Sequence, residues 1–322
     1  MPRDHTEGMN SRVHPTYKTT YRVTNWAPYD RALVGRGDVT LWVSPEAIAT
    51  WEPAGVGTRG GQWKYSDVAI KTALTLRLLF HLPFRQTEGF LHSLFGMMGI
   101  DFSAPDHTTL SRRGQCLDLT LDRVSTGKRV HLIVDSTGLS ILGEGEWAAA
   151  KHGGHGKRGW KKLHLGVDRS GVIVAHAVTA ATVDDATTAI ELIQTVDGCI
   201  ASVTGDAAYD SIAFYDAACA RGASVVVPPT KTARVSRRRP RSRARARTIQ
   251  KLEKIGRRRW KKESGDHRQA RVENAFFRYK LIIGDSLRAR SPAGQGTEAV
   301  PACNILNQMT QRGGSASYAI GR

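Results

Sequence analysis

The sequence predicts an α/β protein in which a mixed five-stranded sheet with flanking helices follows an N-terminal helical region. Three observations carry this expectation. Beyond residue 129, short apolar runs bounded by turn signals alternate with helical spacing in the order β-β-β-α-β-α-β. Between about residues 66 and 113 the apolar spacing is helical. A length of 322 residues suffices for one large or two medium domains with a real core.

Residues 1–65 are rich in Gly, Pro and Trp and sparsely patterned, which predicts an arm and linker. Within it, Tyr29 to Gly35 reads as a short helix, Val39 to Val43 as a strand, and Gly57 to Lys64 as a basic linker. Residues 66–128 are expected to be helical. Ser66 caps a helix running to Phe80, a second spans Phe84 to Met98 and breaks at Gly99, and Asp106 caps a third. Three short amphipathic helices, the last carrying Thr, Ser, Arg112 and Arg113, suit a helix-turn-helix module with those arginines on DNA. A plain bundle packed on the next domain is the favoured alternative, since helical spacing by itself mostly means core.

The α/β part is expected over residues 129–312, with 313–322 as a tail. Leu132, Ile133 and Val134 form a continuous apolar run that fits a strand buried on both faces, ended at Asp135 by a Ser136-Thr137-Gly138 turn. Trp160 to Asp168 and Val172 to Thr179 are hairpin strands joined at Ser170-Gly171. Asp184 to Val196 is a helix whose paired acids Asp184 and Asp185 read as a cap. A strand from Ser202 reaches the acid Asp206, Ser211 to Arg221 is helical, Ala223 to Pro228 closes the sheet, and a last helix runs from His267 to Ile283. An antiparallel triplet followed by αβαβ is the ribonuclease H-like arrangement.

Charge points to the partner. The net charge is +18, and residues 229–262 alone hold sixteen Lys or Arg against one acid, Glu253. Charge so concentrated calls for a polyanion, and double-stranded DNA is the expected one. Arg257, Arg258, Lys161 and Lys162 are candidate contacts. The Arg-Ala alternation from Arg241 to Arg247 lacks an apolar face and predicts an arm that orders only on DNA. Trp147, Trp160 and Trp260, set among basic or Gly-rich residues, are candidate base-stacking groups, with core packing as the plainer reading. Lys151 to Arg158 reads as a basic loop over the site. No apolar run is long enough to span a bilayer, so a cytoplasmic, nucleoid-associated protein is expected. Cys116, Cys199, Cys219 and Cys303 lack CxxC spacing and read as free thiols rather than a zinc site or disulfide framework.

In the predicted sheet the first and fourth strands are neighbours, which brings Asp135 and Asp206 together. The last helix carries Glu273 beside an inward stripe of Val272, Phe276 and Tyr279 or Ala275. Three carboxylates from three elements make an oxygen-rich pocket for Mg2+ or Mn2+. Two such ions suit phosphodiester transfer, which must activate the attacking oxygen and stabilise the leaving one. Taken singly, each acid could instead be a cap or an ion-pair partner.

The chain resembles the DDE transposases of bacterial insertion sequences, specifically the insertion-sequence-five family. HLIVDSTGL with the following GEGEW and KHG, WKKLHLGVD, VTGDAAYD and ARVENAFFRYK are similar to that family's successive blocks, with the acids 71 and 67 residues apart. TNWAPYDRALVGRGDVTLWV, YSDVAIKTALTLRLLFHLPFRQTEGF and PDHTTLSRR are similar to its N-terminal region. The resemblance implies a Mg2+-dependent DNA transposase with Asp135, Asp206 and Glu273 as its metal-binding triad, acting on transposon ends and target DNA as a dimer or larger assembly. Lys280 matches the family's lysine, whereas its usual Tyr and Arg before the Glu are here Asp266 and Gln269. His267, Arg268 and Arg271 stand close by for phosphate contacts. The alternatives are a metal-dependent nuclease without strand transfer and a catalytically impaired, transposase-derived DNA-binding protein or repressor.

Overall fold

The structure, a computed structural model, describes residues 20–53, 63–122, 129–141, 160–235 and 242–320. The chain forms two compact units, one from residues 1–38 with 312–322 and one from residues 39–311. In the small unit, β1 (Thr20–Val23) pairs antiparallel with β8 (Ser317–Ile320), next to α1 (Trp26–Gly35). Asn25 bridges to the C-terminal segment, donating to Gly314 O at 2.9 Å and accepting from Ala316 N at 2.6 Å. Arg36 donates to Gly313 O at 2.7 Å.

The large unit is built on a sheet of β2 (Val130–Ile141), β3 (Lys161–Val167), β4 (Ile173–Ala180), β5 (Ile200–Thr204) and β6 (Ser224–Val226). The strand order is β4-β3-β2-β5-β6, with β3 and β4 antiparallel and β5 and β6 parallel to their neighbours. This is the expected ribonuclease H-like sheet. The side-chain period of two decides how it is covered. Leu132 and Val134 pack with α7 (Asp185–Thr195) and α8 (Ile212–Ala220) on one face. Ile133 and Leu139 pack on the other, with α11 (Ala270–Ile282) and α12 (Pro292–Arg312). Asp135 follows Ile133 and so belongs to the α11 face.

Helices α4 (Asp67–Leu79), α5 (Phe84–Met98) and α6 (His107–Cys116) start and stop as expected. Ser66 Oγ accepts from Ala69 N, Asp106 accepts from Thr108 N and Thr109 N, and Gly99 takes the left-handed conformation at φ 64° that closes α5. Ile70, Leu91 and Leu110, one from each helix, are buried in the same cluster as Ile133 and Leu165 of the sheet. That is the packing of a bundle laid on the sheet.

Several expectations are corrected. Val39–Val43 is not a strand: Val39–Trp42 is a helical turn, α2, followed by α3 (Pro45–Ala49), and Trp42 and Val43 are buried in the cluster that includes α4. Ser136-Thr137-Gly138 is not a turn, because β2 continues to Ile141 and pairs with β3 as far as Leu139 opposite Lys161. A sixth short strand, β7 (Ser286–Leu287), adds to the far end of β2. The Arg-Ala tract is not an extended arm. Residues 236–241 lie outside the described residues, but α9 (Arg243–Ile255) and α10 (Arg257–Ser264) follow them. Ala246 and Ile249, three apart, supply the buried seam of α9. Arg245 forks onto Asp210 with contacts of 2.7 and 2.8 Å. Trp260 is core, at 3 % exposure, and cannot stack on a base as it stands. Helix α12 was not anticipated at all. Trp147 and the Lys151–Arg158 loop, with the GEGEW and KHG blocks, lie outside the described residues, as does most of the Gly57–Lys64 linker. The four cysteines are free thiols. Among the described residues no helix is long and apolar enough to cross a membrane.

Candidate active site

The parallel pairing of β2 with β5 runs Leu132 opposite Val203 and Ile133 opposite Thr204. Two residues further along each strand stand Asp135 and Asp206, so the register itself brings these acids side by side. Asp206 lies just past the end of β5 and caps a 3-10 turn at Ala207–Tyr209, accepting from Ala208 N at 2.8 Å. Glu273 sits in the first turn of α11, exposed beside the buried Val272, Ala275, Phe276 and Tyr279. A 3-10 turn at Asp266–Gln269 leads into α11 and packs against β2 and β5. From that turn Gln269 Nε2 donates to Val134 O at 3.2 Å, one residue before Asp135.

The electrostatics agree with the register. Burial pushes the Asp135 carboxyl up to about 6; the Ser136 N–H and the Gln269 carboxamide oppose this, and the charges of Asp206 and Glu273 add to it. Burial, with Asp135, Asp185 and Asp206, also holds the Tyr209 hydroxyl above its ordinary value. Asp135 therefore feels the charges of both other sequence-predicted acids. Among the described residues, however, no three of His, Cys, Asp or Glu are drawn together tightly enough to hold an ion as they stand. Gln269 Oε1 is buried with no hydrogen-bond partner among the described residues.

The predicted DNA contacts divide into free and committed groups. Lys280, Arg271, Arg112 and Arg258 are exposed, while Arg268 and Lys161 are half-buried. Lys162 is engaged by Val183 O at 2.9 Å and by Asp185 at 3.0 Å. Arg257 donates to Pro229 O at 2.6 Å. Arg113 is a correction: it is buried, donates to Tyr65 O at 3.0 Å, pairs with Asp67 and lies 4.2 Å over the Trp63 ring, so it holds α6 to the start of α4. Trp160 is 40 % exposed and packs against Gly138. Sequence reading missed a basic cluster at the start of β2. Burial and the nearby Arg169, Arg268 and Arg129 hold the His131 imidazole below its ordinary value. Arg129 and Arg169 come from different loops, and no local motif marks them.

Gly205 precedes Asp206 at a close approach. A Cβ there would lie 2.8 Å from Tyr209 Cδ2 and 3.1 Å from its Cγ, and Tyr209 is 2 % exposed against Phe214. Gly205→Ala is expected to displace the ring and with it the turn that Asp206 caps. The expected stability cost is about 1–3 kcal/mol. Thermal melts of the two proteins test this.

Acids thus come from β2, from the turn just past its neighbour β5 and from the covering helix α11. A family model described as a transposase DDE domain matches residues 126–307, and another with the same description matches residues 34–144. The chain belongs to the transposase DDE domain family. Among solved structures it is similar to the cryo-EM structure of a piggyBac transposase synaptic complex with hairpin DNA, with 12 % identity over 91 % of this chain and 78 % of that one and a TM-score of 0.38.

Proposed function

We propose that this transposase belongs to an insertion sequence of the insertion-sequence-five type, binds the inverted-repeat ends of its element as duplex DNA, cuts them and joins the 3′ ends to target DNA. What supports this best is the placement of Asp135 on β2 and Asp206 just past its neighbour β5, with Glu273 on the helix covering that face and both of those charges felt at Asp135. These three are the metal-binding catalytic groups. The donor set fits hard divalent cations: it is all carboxylate oxygen, Asp135 is desolvated, and a buried amide oxygen of Gln269 lacks a partner. Two Mg2+ ions, or Mn2+, would supply activation of the attacking oxygen and charge stabilisation at the leaving one.

The chain's own groups do the positioning. The Ser136 N–H fixes the Asp135 carboxylate at 2.8 Å, and the Gln269 amide ties the approach of α11 to the strand carrying it. Lys280, two turns beyond Glu273, holds a DNA phosphate, with Arg268 and Arg271 on the approaching strand. Since two DNA ends must be processed together, the working form is a dimer or larger assembly on DNA. Incubating the protein with a labelled element end and a plasmid in Mg2+ should give joined products, and EDTA should prevent them. Metal-independent DNA binding with neither nicking nor joining would instead identify a silent DNA-binding derivative.

A further inference from the structure

A cleft of about 300 Å³ opens in the large unit between α4, α6 and the segment joining β7 to α12, and none of the acids discussed above lines it. Its inner wall is formed by Arg77 of α4, which is 6 % exposed. One face of this guanidinium lies 4.2 Å over the Phe84 ring, and its Nε is buried with no hydrogen-bond partner among the described residues. A buried cationic donor without an acceptor is costly, so such a group is kept for something that arrives.

The charge around it has the same sense. Arg288 and Arg290 also line the cleft, against one acid, Glu298. Both oxygens of Glu298 are already occupied by the Arg288 and Ala289 backbone N–H groups, at 2.8–3.2 Å. Arg77, Arg288 and Arg290 thus line the cleft with one carboxylate that already accepts three backbone hydrogen bonds. Burial holds Arg77 below its ordinary value, Arg288 adds to this, and Glu298 opposes it. An anion seated between Arg77 and Arg288 would relieve their repulsion and supply the missing acceptor, and a guanidinium's planar edge matches phosphate oxygens. The rest of the lining, including Leu74, Phe84 and Pro301, is apolar and suits a flat organic group beside that anion.

We propose that this cleft binds a nucleotide, with its phosphate on the edges of Arg77 and Arg288 and its base or sugar against the apolar wall. The nucleotide is either free in solution or part of a bound DNA strand, and the chemistry of recognition is the same. The site is independent of the proposed metal centre. Binding is therefore measured on the full chain in EDTA, which separates its failure from failure of the proposed catalysis.

Calorimetric titration with deoxyadenosine 5′-monophosphate, and with pyrophosphate, should show one site per chain. Arg288→Gln should weaken it about tenfold or more, leaving the Glu298 contacts to the backbone intact. Arg77→Gln should do the same if its melt shows that it folds; Arg288→Gln decides the matter if it does not. Duplex DNA that displaces the mononucleotide and binds more weakly to Arg288→Gln would assign the site to a DNA nucleotide, and unchanged duplex binding would assign it to a free one. No binding of either probe, or binding undiminished in a folded Arg288→Gln protein, overturns the proposal.

Discussion

Asp135→Asn is expected to abolish DNA cleavage and joining, leave binding of the element end nearly intact, and make the ion-free protein more stable at neutral pH. The loss of activity follows from removing a carboxylate from the proposed metal site. The gain in stability follows from the cost of keeping that carboxylate charged. Its pKa lies at about 6 in the fold against an ordinary 3.8. Between those values the unfolded chain has released a proton that the folded chain keeps, so stability falls as pH rises through that window. Above it the penalty levels off at about 3 kcal/mol, which asparagine does not incur. Urea unfolding in EDTA should therefore separate the two proteins by about 2–3 kcal/mol at pH 7 and bring them together below about pH 4. Added Mg2+ should raise the melting temperature of the parent more than that of the variant, because the ion binds the folded form. Retained joining by the variant, or equal stability at pH 7, would contradict the role given to Asp135.

Arg245→Ala should be the most damaging single change in the basic segment, at about 3–5 kcal/mol. The Asp210 side chain is completely buried, and its carboxylate accepts from Arg245 Nε and Nη2 and from Thr230 N at 2.9 Å. Removing the arginine leaves a charge in the interior with only one backbone donor. Combining Asp210→Asn with Arg245→Met should recover part of the loss, since no charge is then left unpaired. Chemical unfolding of the three variants measures this. Equal losses for Arg245→Ala and for its exposed neighbour Arg247→Ala would mean that the ion pair contributes nothing.

The same pair shows why part of the chain was legible in its sequence and part was not. Leu132-Ile133-Val134-Asp135 announces itself within four residues, because a strand covered on both faces needs an unbroken apolar run. The caps at Ser66 and Asp106 are local in the same way. The helix at Arg243–Ile255 is not, since its anchoring acid, Asp210, lies 35 residues earlier. Helix α12 is harder still. It contains Gly294, Gly296 and Pro301, and its buried Asn304 and Asn307 are satisfied only across the fold, at Thr120 O and Asp122 N and at both backbone groups of Ile173. Local propensity reads such residues as loop. The acids were identified from the order of the elements, whereas Arg129 and Arg169 gather around His131 through loops that no short motif describes.

The ribbon of Thr20–Val23 with Ser317–Ile320 has a bearing on how the molecule is made. The two strands stand nearly 300 residues apart in the sequence, so during synthesis the first must wait for its mate. A two-stranded ribbon has little stability alone, so it should be the last element to lock. Nascent chains ending between Arg312 and Ser317 would already contain the sheet and its helices, but would still lack the mate of Thr20–Val23.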